Sequence, residues 1–346
     1  MKDIAINEIT IKNFKCFKDI RLEGLQRVNL IGGKNNIGKT SFMEAVELLV
    51  SSSNINDLVA STYKMIKRRQ KGIGIRSDYF ELDFIHAHQS KLEIKSDKSC
   101  FSIEYQEEPT LLENNDSAIE LDAIEAPFLK FKLNEREINY PIEKVLDFRG
   151  RFFGRKETSP IKTNFIGPTT SEERDIAIFY GSLVDINKEH FLNESLQLFD
   201  ENIISLKQKA IDRDIVLKVE VKDRDVPILL SALGDGVNRY IAILCAIWAS
   251  QDGFLFIDEI ENGIHYTNYD KLWRIIFAAS KDANCQLFIT THSKECIEVF
   301  NEVSDSRNGA YFEFFKNKKS NMISAQKRDK DQLEYALSHK GSIRGE

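Results

Sequence analysis

The segment Gly33-Lys34-Asn35-Asn36-Ile37-Gly38-Lys39-Thr40 constrains this chain more than any other feature of its sequence. It fits the pattern G-x-x-x-x-G-K-[ST], whose glycines let the backbone curl around phosphate groups. The apolar run Val28–Ile31 before it has the length and composition of a strand, and Ser41–Val50 after it carries apolar residues at helical spacing. Strand, glycine-rich loop and helix are the context the pattern needs, because main-chain N–H groups and the positive end of the new helix then converge on an anion. Lys39 is expected to reach the β- and γ-phosphates, and the Thr40 hydroxyl to ligate Mg²⁺. Gly33, Asn35, Asn36, Gly38 and Ser41 complete the expected nucleotide-binding set. The bland alternative is a chance match in a turn, which would not carry these flanks. The chain is expected to bind a nucleotide.

A length of 346 residues allows one to three domains and a large core. The content of 42% apolar and 29% charged residues is ordinary for a globular protein. No apolar run approaches the roughly 20 residues of a membrane span, and the N-terminus lacks the apolar centre of a secretory leader. Cys16, Cys100, Cys245, Cys285 and Cys296 lie far apart with no C-x-x-C spacing. They read as reduced thiols in a cytoplasmic protein without a membrane partner. A net charge of −6 argues against coating nucleic acid through bulk attraction. Three local basic runs remain: Lys64 to Arg76, Arg149 to Lys156 and Lys316 to Lys330. Each reads either as solvated surface or as a patch for DNA or an acidic partner.

Residues 4–13 and 17–23 alternate apolar and polar positions as a hairpin would, with Lys15 and Cys16 at the bend. Short strands are expected between Leu92 and Asn164, interrupted by an acidic stretch from Glu107 to Glu125. Residues 171–210 carry apolar positions at helical spacing and are expected to form two or three helices; Val216–Val221 returns to strand. The last third alternates: a helix over Asn238–Ser250, the strand Phe254–Ile257, a helix near Tyr269–Ser280, the strand Leu287–Thr290 and a helix from Ser293. Continuous apolar strands between helices mean a parallel sheet covered on both faces. The nucleotide-binding core is therefore expected to be assembled from both ends of the chain.

Phe254-Leu255-Phe256-Ile257-Asp258-Glu259 is a buried strand ending in two acids, the form of a Walker B strand. Asp258 at its tip would hold Mg²⁺, and Glu259 would polarise a water for attack on the γ-phosphate. On its own the pattern also describes an ordinary strand end. His292 closes the strand Phe288-Ile289-Thr290-Thr291, where a neutral imidazole can donate to a γ-phosphate oxygen. Leu233-Gly234-Asp235-Gly236-Val237-Asn238-Arg239 opens the helix before the Walker B strand, as a second anion site or as a plain helix-opening turn.

Phosphate loop, glycine-rich signature, Asp-Glu strand end and Thr-His-Ser strand end occur in the order of ABC-type ATPases. Details resemble the AAA_15/AAA_21 group, the OLD-like relatives of RecF and SMC heads: Ile11-Lys12-Asn13-Phe14-Lys15-Cys16-Phe17, Asn35-Asn36, Asp258 to His265, and Leu287 to Ser293. The resemblance covers residues 1–50 and 225–300 well and the middle loosely. It implies an α/β fold, an ABC-type P-loop ATPase head. A mixed, mainly parallel sheet would be flanked by helices, with an N-terminal antiparallel β subdomain and a short helical insert. One composite ATPase domain would comprise a lobe at 1–170, an insert at 171–212 and a lobe at 213–346. It further implies ATP and Mg²⁺ as cofactors, with ATP held between two copies. Gly234, Asp235 and Gly236 would cap the γ-phosphate of the other copy with Arg239 nearby, Glu259 would be the general base and His292 the switch histidine. Gly234 stands where the family usually has serine, so slow hydrolysis is expected. Gln89 is a candidate for the family's loop glutamine, against the alternative of an exposed loop residue.

The stretch beyond His292 is shorter than the roughly 100 residues of a Toprim domain, so no in-chain nuclease is expected. The leading expectation is an ATPase whose ATP-dependent dimerisation controls a separate effector, such as a Toprim-type nuclease, in bacterial anti-phage defence. Alternatives are a RecF-like DNA-repair ATPase and an ATP-stabilised oligomeric scaffold with little turnover.

Overall fold

The computed structural model describes residues 5–72, 83–86, 88–107, 127–142, 161–169, 173–211 and 214–338. The chain opens with a hairpin, β1 (Glu8–Phe14) and β2 (Phe17–Glu23), then β3 (Val28–Gly33), the phosphate loop, α1 (Lys39–Ser51) and α2 (Ile55–Gly72). Four strands follow, β4 (Lys91–Ser96), β5 (Cys100–Gln106), β6 (Phe128–Leu133) and β7 (Arg136–Pro141), and then β8 (Thr163–Ile166). Next come α3 (Glu173–Val184), α4 (Glu189–Phe199), β9 (Ile203–Ile211), β10 (Asp214–Val221), the short β11 (Ile228–Leu229) and α5 (Asp235–Ala249). The last third runs β12 (Phe254–Ile257), α6 (Tyr269–Asp282), β13 (Gln286–Thr290), α7 (Lys294–Val303), β14 (Gly309–Lys316), β15 (Ile323–Arg328) and α8 (Lys330–Ser338).

The central sheet has the order β15-β14-β3-β13-β12-β8, with every pair parallel except the edge pair β14–β15. Both neighbours of β3 therefore come from beyond residue 285: Leu30 sits opposite Ile289 on one side and Tyr311 on the other. Alternate residues of these strands feed two different cores. Leu255, Ile257, Leu287 and Ile289 pack with Trp248 and Trp273 of the helical side. Phe254, Phe256 and Phe288 pack with Phe42 of α1 and the antiparallel side. A strand buried on both faces has no use for polar positions, which is why these segments read as unbroken apolar runs.

The second sheet, β2-β1-β4-β5-β6-β7, is antiparallel throughout and holds the N-terminal hairpin at one edge. Parallel central sheet, flanking helices and antiparallel N-terminal sheet match the fold class expected from the sequence. Residues 171–210 differ from expectation in their last fifth, because Ile203–Ile211 is the strand β9, not a helix. Asp200 ends α4 in extended backbone, and β9 then pairs antiparallel with β10 from Ile203 opposite Val221 to Ile211 opposite Asp214. A β-branched Ile-Ile pair suits such a ladder better than a helical turn. The two helices cap α5: Phe199 stacks on Tyr240 with centroids 4.1 Å apart, and the Tyr240 hydroxyl donates to Ser195 O at 3.1 Å.

All five cysteines are free thiols. Among the described residues, no helix is long and apolar enough to cross a membrane. The first basic run is partly consumed within the chain: Arg68 pairs with Glu47 and stacks on Phe165 at 3.9 Å, and Arg69 pairs with Glu44 at 2.8 Å. In the third run Arg328 pairs with Glu313, and Lys327 donates to Gly24 O at 2.7 Å. The run at Arg149–Lys156 and most of the acidic stretch after Glu107 lie outside the described residues.

Candidate active site

The carboxyl ends of β3, β13 and β12 lie side by side, and each ends in one of the sequence-predicted groups. Beyond β3 the loop turns with Gly33 at φ 141°, Asn36 at 58° and Gly38 at 89°. A Cβ on Gly33 would meet Phe314 O at 2.5 Å, and one on Gly38 would meet Cys16 Sγ at 2.5 Å, so both positions exclude any other residue. Gly38 caps α1 without a side-chain hydrogen bond, and the first turn carries no acid. Its N–H groups are thus left for an anion. Lys34, Asn35 and Asn36 are exposed at the loop's outer rim. Lys39 is buried, and its ammonium donates to Gly33 O at 2.7 Å and Lys34 O at 2.9 Å. Burial lowers its pKa, against the opposing pull of Glu261, Asp258 and Glu259. Ser41, expected among the nucleotide ligands, is buried with its hydroxyl toward Cys16 and Arg69; what it can offer a ligand is its main-chain N–H.

The hairpin tip braces this loop. Lys15, at φ 50°, reaches Glu44 of α1 at 2.6 Å, and Arg69 of α2 closes on the same carboxylate. On the far side, His86 N donates to Asn13 O at 2.8 Å, and His86 Nδ1 lies 2.7 Å from Lys15 O. Gln89, the candidate loop glutamine, is exposed in the adjoining turn, and its main-chain N–H donates to His86 O at 3.0 Å. Among the described residues, no three His, Cys, Asp or Glu side chains form a metal cluster there or elsewhere.

Thr40 Oγ1 donates to Asp258 Oδ2 at 2.9 Å, and Thr290 Oγ1 to Asp258 Oδ1 at 2.6 Å. Burial raises the Asp258 pKa, opposed by those two hydrogen bonds. A hydroxyl and a buried carboxylate this close, facing the phosphate loop, are the hard oxygen donors that Mg²⁺ takes, so Thr40 and Asp258 fit that cation. Glu259 follows at φ 51°, a left-handed conformation rare for a side chain of this size. The Thr290 hydroxyl holds it there by accepting Glu259 N–H at 2.8 Å. The Glu259 carboxylate lies 3.1 Å from His292 Nε2 through Oε1 and accepts from Asn262 Nδ2 at 2.7 Å through Oε2. His292 is anchored by its main-chain N–H, which donates to Glu261 Oε1 at 2.7 Å. Next to it Ser293 caps α7 by accepting from Cys296 N at 3.0 Å, which pins the end of the strand that carries the histidine. His292 Nδ1 and Glu261 Oε2 are both buried without a hydrogen-bond partner.

Glu261 was not among the expected site residues, yet its charge acts on Lys39 and its carboxylate positions His292. Its spacing from Asp258 along the same turn was the signal available. Arg239 was expected near the capping residues, and it lies about one turn further along α5. It is buried, donating to Asp258 O at 2.6 Å, Glu259 O at 3.2 Å and Gly167 O at 2.5 Å, so it faces its own Walker B turn and not a second copy. Burial lowers its pKa to about 10. Gly234 and Asp235 are exposed at the start of α5, and a Cβ on Gly234 would meet nothing within 4 Å. Gly236, in contrast, packs on the turn after Glu259, where its Cβ would meet Gly263 O at 2.5 Å.

A family model described as "AAA domain, putative AbiEii toxin, Type IV TA system" (AAA_21) matches residues 28–298. A protein of Helicobacter pylori described as an ATP/GTP phosphatase is 28% identical over 342 residues, covering 88% of this chain and 90% of that one. An uncharacterized protein of Methanocaldococcus jannaschii is 33% identical over 89 residues, 26% of this chain and 39% of its own length. Among solved structures, an Smc head bound to the C-winged helix domain of ScpA aligns over 96% of this chain and 99% of its own, with TM-score 0.52 and 14% identity. An Smc head with an extended coiled coil, bound to the C-terminal domain of ScpA from Pyrococcus furiosus, covers 97% of this chain and 99% of its own with TM-score 0.51 and 12% identity. At such identity these two likenesses concern the fold.

Proposed function

The chain belongs to the AAA_21 family of AAA domains, and from that premise we propose that it is an ABC-class ATPase in which two copies close on ATP and part after hydrolysis. The observation that carries this reading is the constellation at one sheet edge: phosphate loop, Thr40 beside Asp258, and Glu259 beside His292. Lys39 and the first-turn N–H groups of α1 hold the β- and γ-phosphates. Thr40 and Asp258 hold Mg²⁺, which when bound neutralises charge on the phosphate oxygens. Glu259 orients a water and takes its proton as the γ-phosphate is attacked, and His292 Nε2 contacts the γ-phosphate. Gly234, Asp235 and Gly236 cap the nucleotide of the second copy, which the outward exposure of Gly234 and Asp235 supports. Turnover is slow because Gly234 brings no hydroxyl to that contact.

On this reading nucleotide-controlled assembly switches a separate effector protein, such as a Toprim-type nuclease, in a bacterial defence system of the cytoplasm. The family description, which names a toxin of a Type IV TA system, supports the defence context, and five free thiols suit a reducing compartment. A RecF-like DNA-binding reading draws less support, since Arg68, Arg69 and Arg328 spend their charge on carboxylates of this chain.

Phosphate release and sedimentation with Mg²⁺ and ATP test the proposal. Wild type should hydrolyse ATP, and Glu259→Gln should lose at least 100-fold in rate, on the order of a missing general base, while accumulating as an ATP-bound dimer. Equal, near-background rates for both proteins would support a scaffold instead.

A further inference from the structure

Both oxygens of the Glu259 carboxylate are engaged by groups of the same chain. Oε1 lies 3.1 Å from His292 Nε2, and Oε2 accepts from Asn262 Nδ2 at 2.7 Å. The same Asn262 amide donates to Pro168 O at 3.0 Å, which ties it to the segment after β8. Each oxygen of the Glu259 carboxylate thus already has a partner within the chain, which competes with a water for its lone pairs. The turn carrying Asn262 is itself clamped to the signature helix. Gly263, at φ 77°, lies against Asp235, and its carbonyl fills the space beside Gly236 where a Cβ would sit. Four residues into the same helix, Arg239 grips Asp258 O and Glu259 O and, through its other nitrogen, Gly167 O and Thr169 O. Signature helix, Walker B turn and the 167–169 segment thus meet around Asn262, which is bonded to the last two of them.

On the reading of the site given above, we propose that Asn262 is a positioning residue that latches Glu259 in a non-productive pose. Movement of the signature helix, as it engages the nucleotide of a second copy, releases the latch. Each copy's hydrolysis then waits on its own signature being occupied. The helix can convey this because Gly236 and Arg239 touch the backbone on both sides of Asn262, so a shift of α5 moves the amide relative to the carboxylate.

The test is steady-state phosphate release as a function of protein concentration for wild type, Asn262→Ala and Asn262→Asp at saturating Mg²⁺ and ATP. Asn262→Asp keeps the volume, removes the donor and sets a like charge against Glu259. Wild-type turnover per chain should rise with concentration as copies meet. Both variants should be about tenfold faster than wild type at the lowest concentration, the factor one hydrogen bond to a charged group carries, and should rise less steeply than wild type, converging on it once all copies are paired, because the cap from the second copy is still needed. Slower turnover in either folded variant, or an unchanged concentration profile, overturns the latch and leaves Asn262 an aid to catalysis or a bystander. Loss of the near-UV circular dichroism signal in both variants makes Asn262 a determinant of folding and rejects the latch as well. The ATPase reading fails separately, if wild type and Glu259→Gln release phosphate at the same background rate.

Discussion

At the scale of single residues, Glu44 is the most consequential side chain outside the reacting groups. Its carboxylate side chain is 2% exposed and paired with Lys15, itself 6% exposed. Burial alone would raise its pKa, yet Lys15 and Arg69 together hold it below 4.5. Burial lowers the Lys15 pKa, with Glu44 opposing that shift. Removing one partner of such a pair leaves an uncompensated buried charge, so Glu44→Gln should destabilise the fold by about 3–5 kcal/mol at neutral pH. The Arg69 arm, with a side chain 43% exposed, adds little to that figure. A depressed folded-state pKa means stability that is present above the unfolded value and lost as pH falls through the folded one. The gap between wild type and Glu44→Gln in urea midpoint should therefore be full at pH 7 and shrink on acidification below 4.5; a gap that widens in acid would refute this account.

The elements carry the next level of meaning, and α5 shows it best. From the sequence its opening glycines read as an anion site or a turn, with Arg239 nearby. Packing separates these residues: Gly234 is open, Gly236 is pressed onto Gly263 O, and Arg239 is buried on carbonyls of the Walker B turn. Gly234→Ser should therefore leave stability within about 0.5 kcal/mol of wild type and speed turnover by restoring a hydroxyl to the cap. Gly236→Ala must force α5 and the 263 turn apart, and should slow turnover at least tenfold, on the order of a mispositioned catalytic group. Equal behaviour of the two variants in a thermal melt and a phosphate-release assay would contradict this division. The strand β9 makes the complementary point. Ile203, Ile204 and Leu206 fit a helical spacing taken from 171 onward, and only their pairing with β10 makes them strand.

On the scale of the whole molecule, the phosphate loop depends on residues more than 250 positions away. β3 is flanked by β13 and β14, Asn29 Nδ2 donates to Leu287 O at 3.1 Å, and Gly33 is shaped by Phe314 O. A fragment of residues 1–225 holds the entire phosphate-loop motif but leaves β3 with neither neighbour, so it should not retain ATP in equilibrium dialysis. Adding the fragment 226–346 during refolding should restore binding. Retention by the first fragment alone would mean that the loop is locally autonomous.

The residues proposed to touch phosphate and cation were legible in the sequence because their chemistry is local. Gly33 and Gly38 take φ angles that favour glycine, a lysine and a hydroxyl at that spacing suit phosphate and Mg²⁺, and an apolar strand must end before its acids meet solvent. The layered fold was legible for a related reason, since doubly buried strands leave unbroken apolar runs. What escaped was whatever depends on direction in space. The spacing of Glu261 from Asp258 hinted at a role but not at Lys39, and nothing in the sequence turned Arg239 inward onto carbonyls or set Asn262 across from Glu259, because each is set by how α5, the Walker B turn and the end of β13 pack together. Residue types determined what the site can bind; tertiary packing alone decided which groups hold the Glu259 carboxylate.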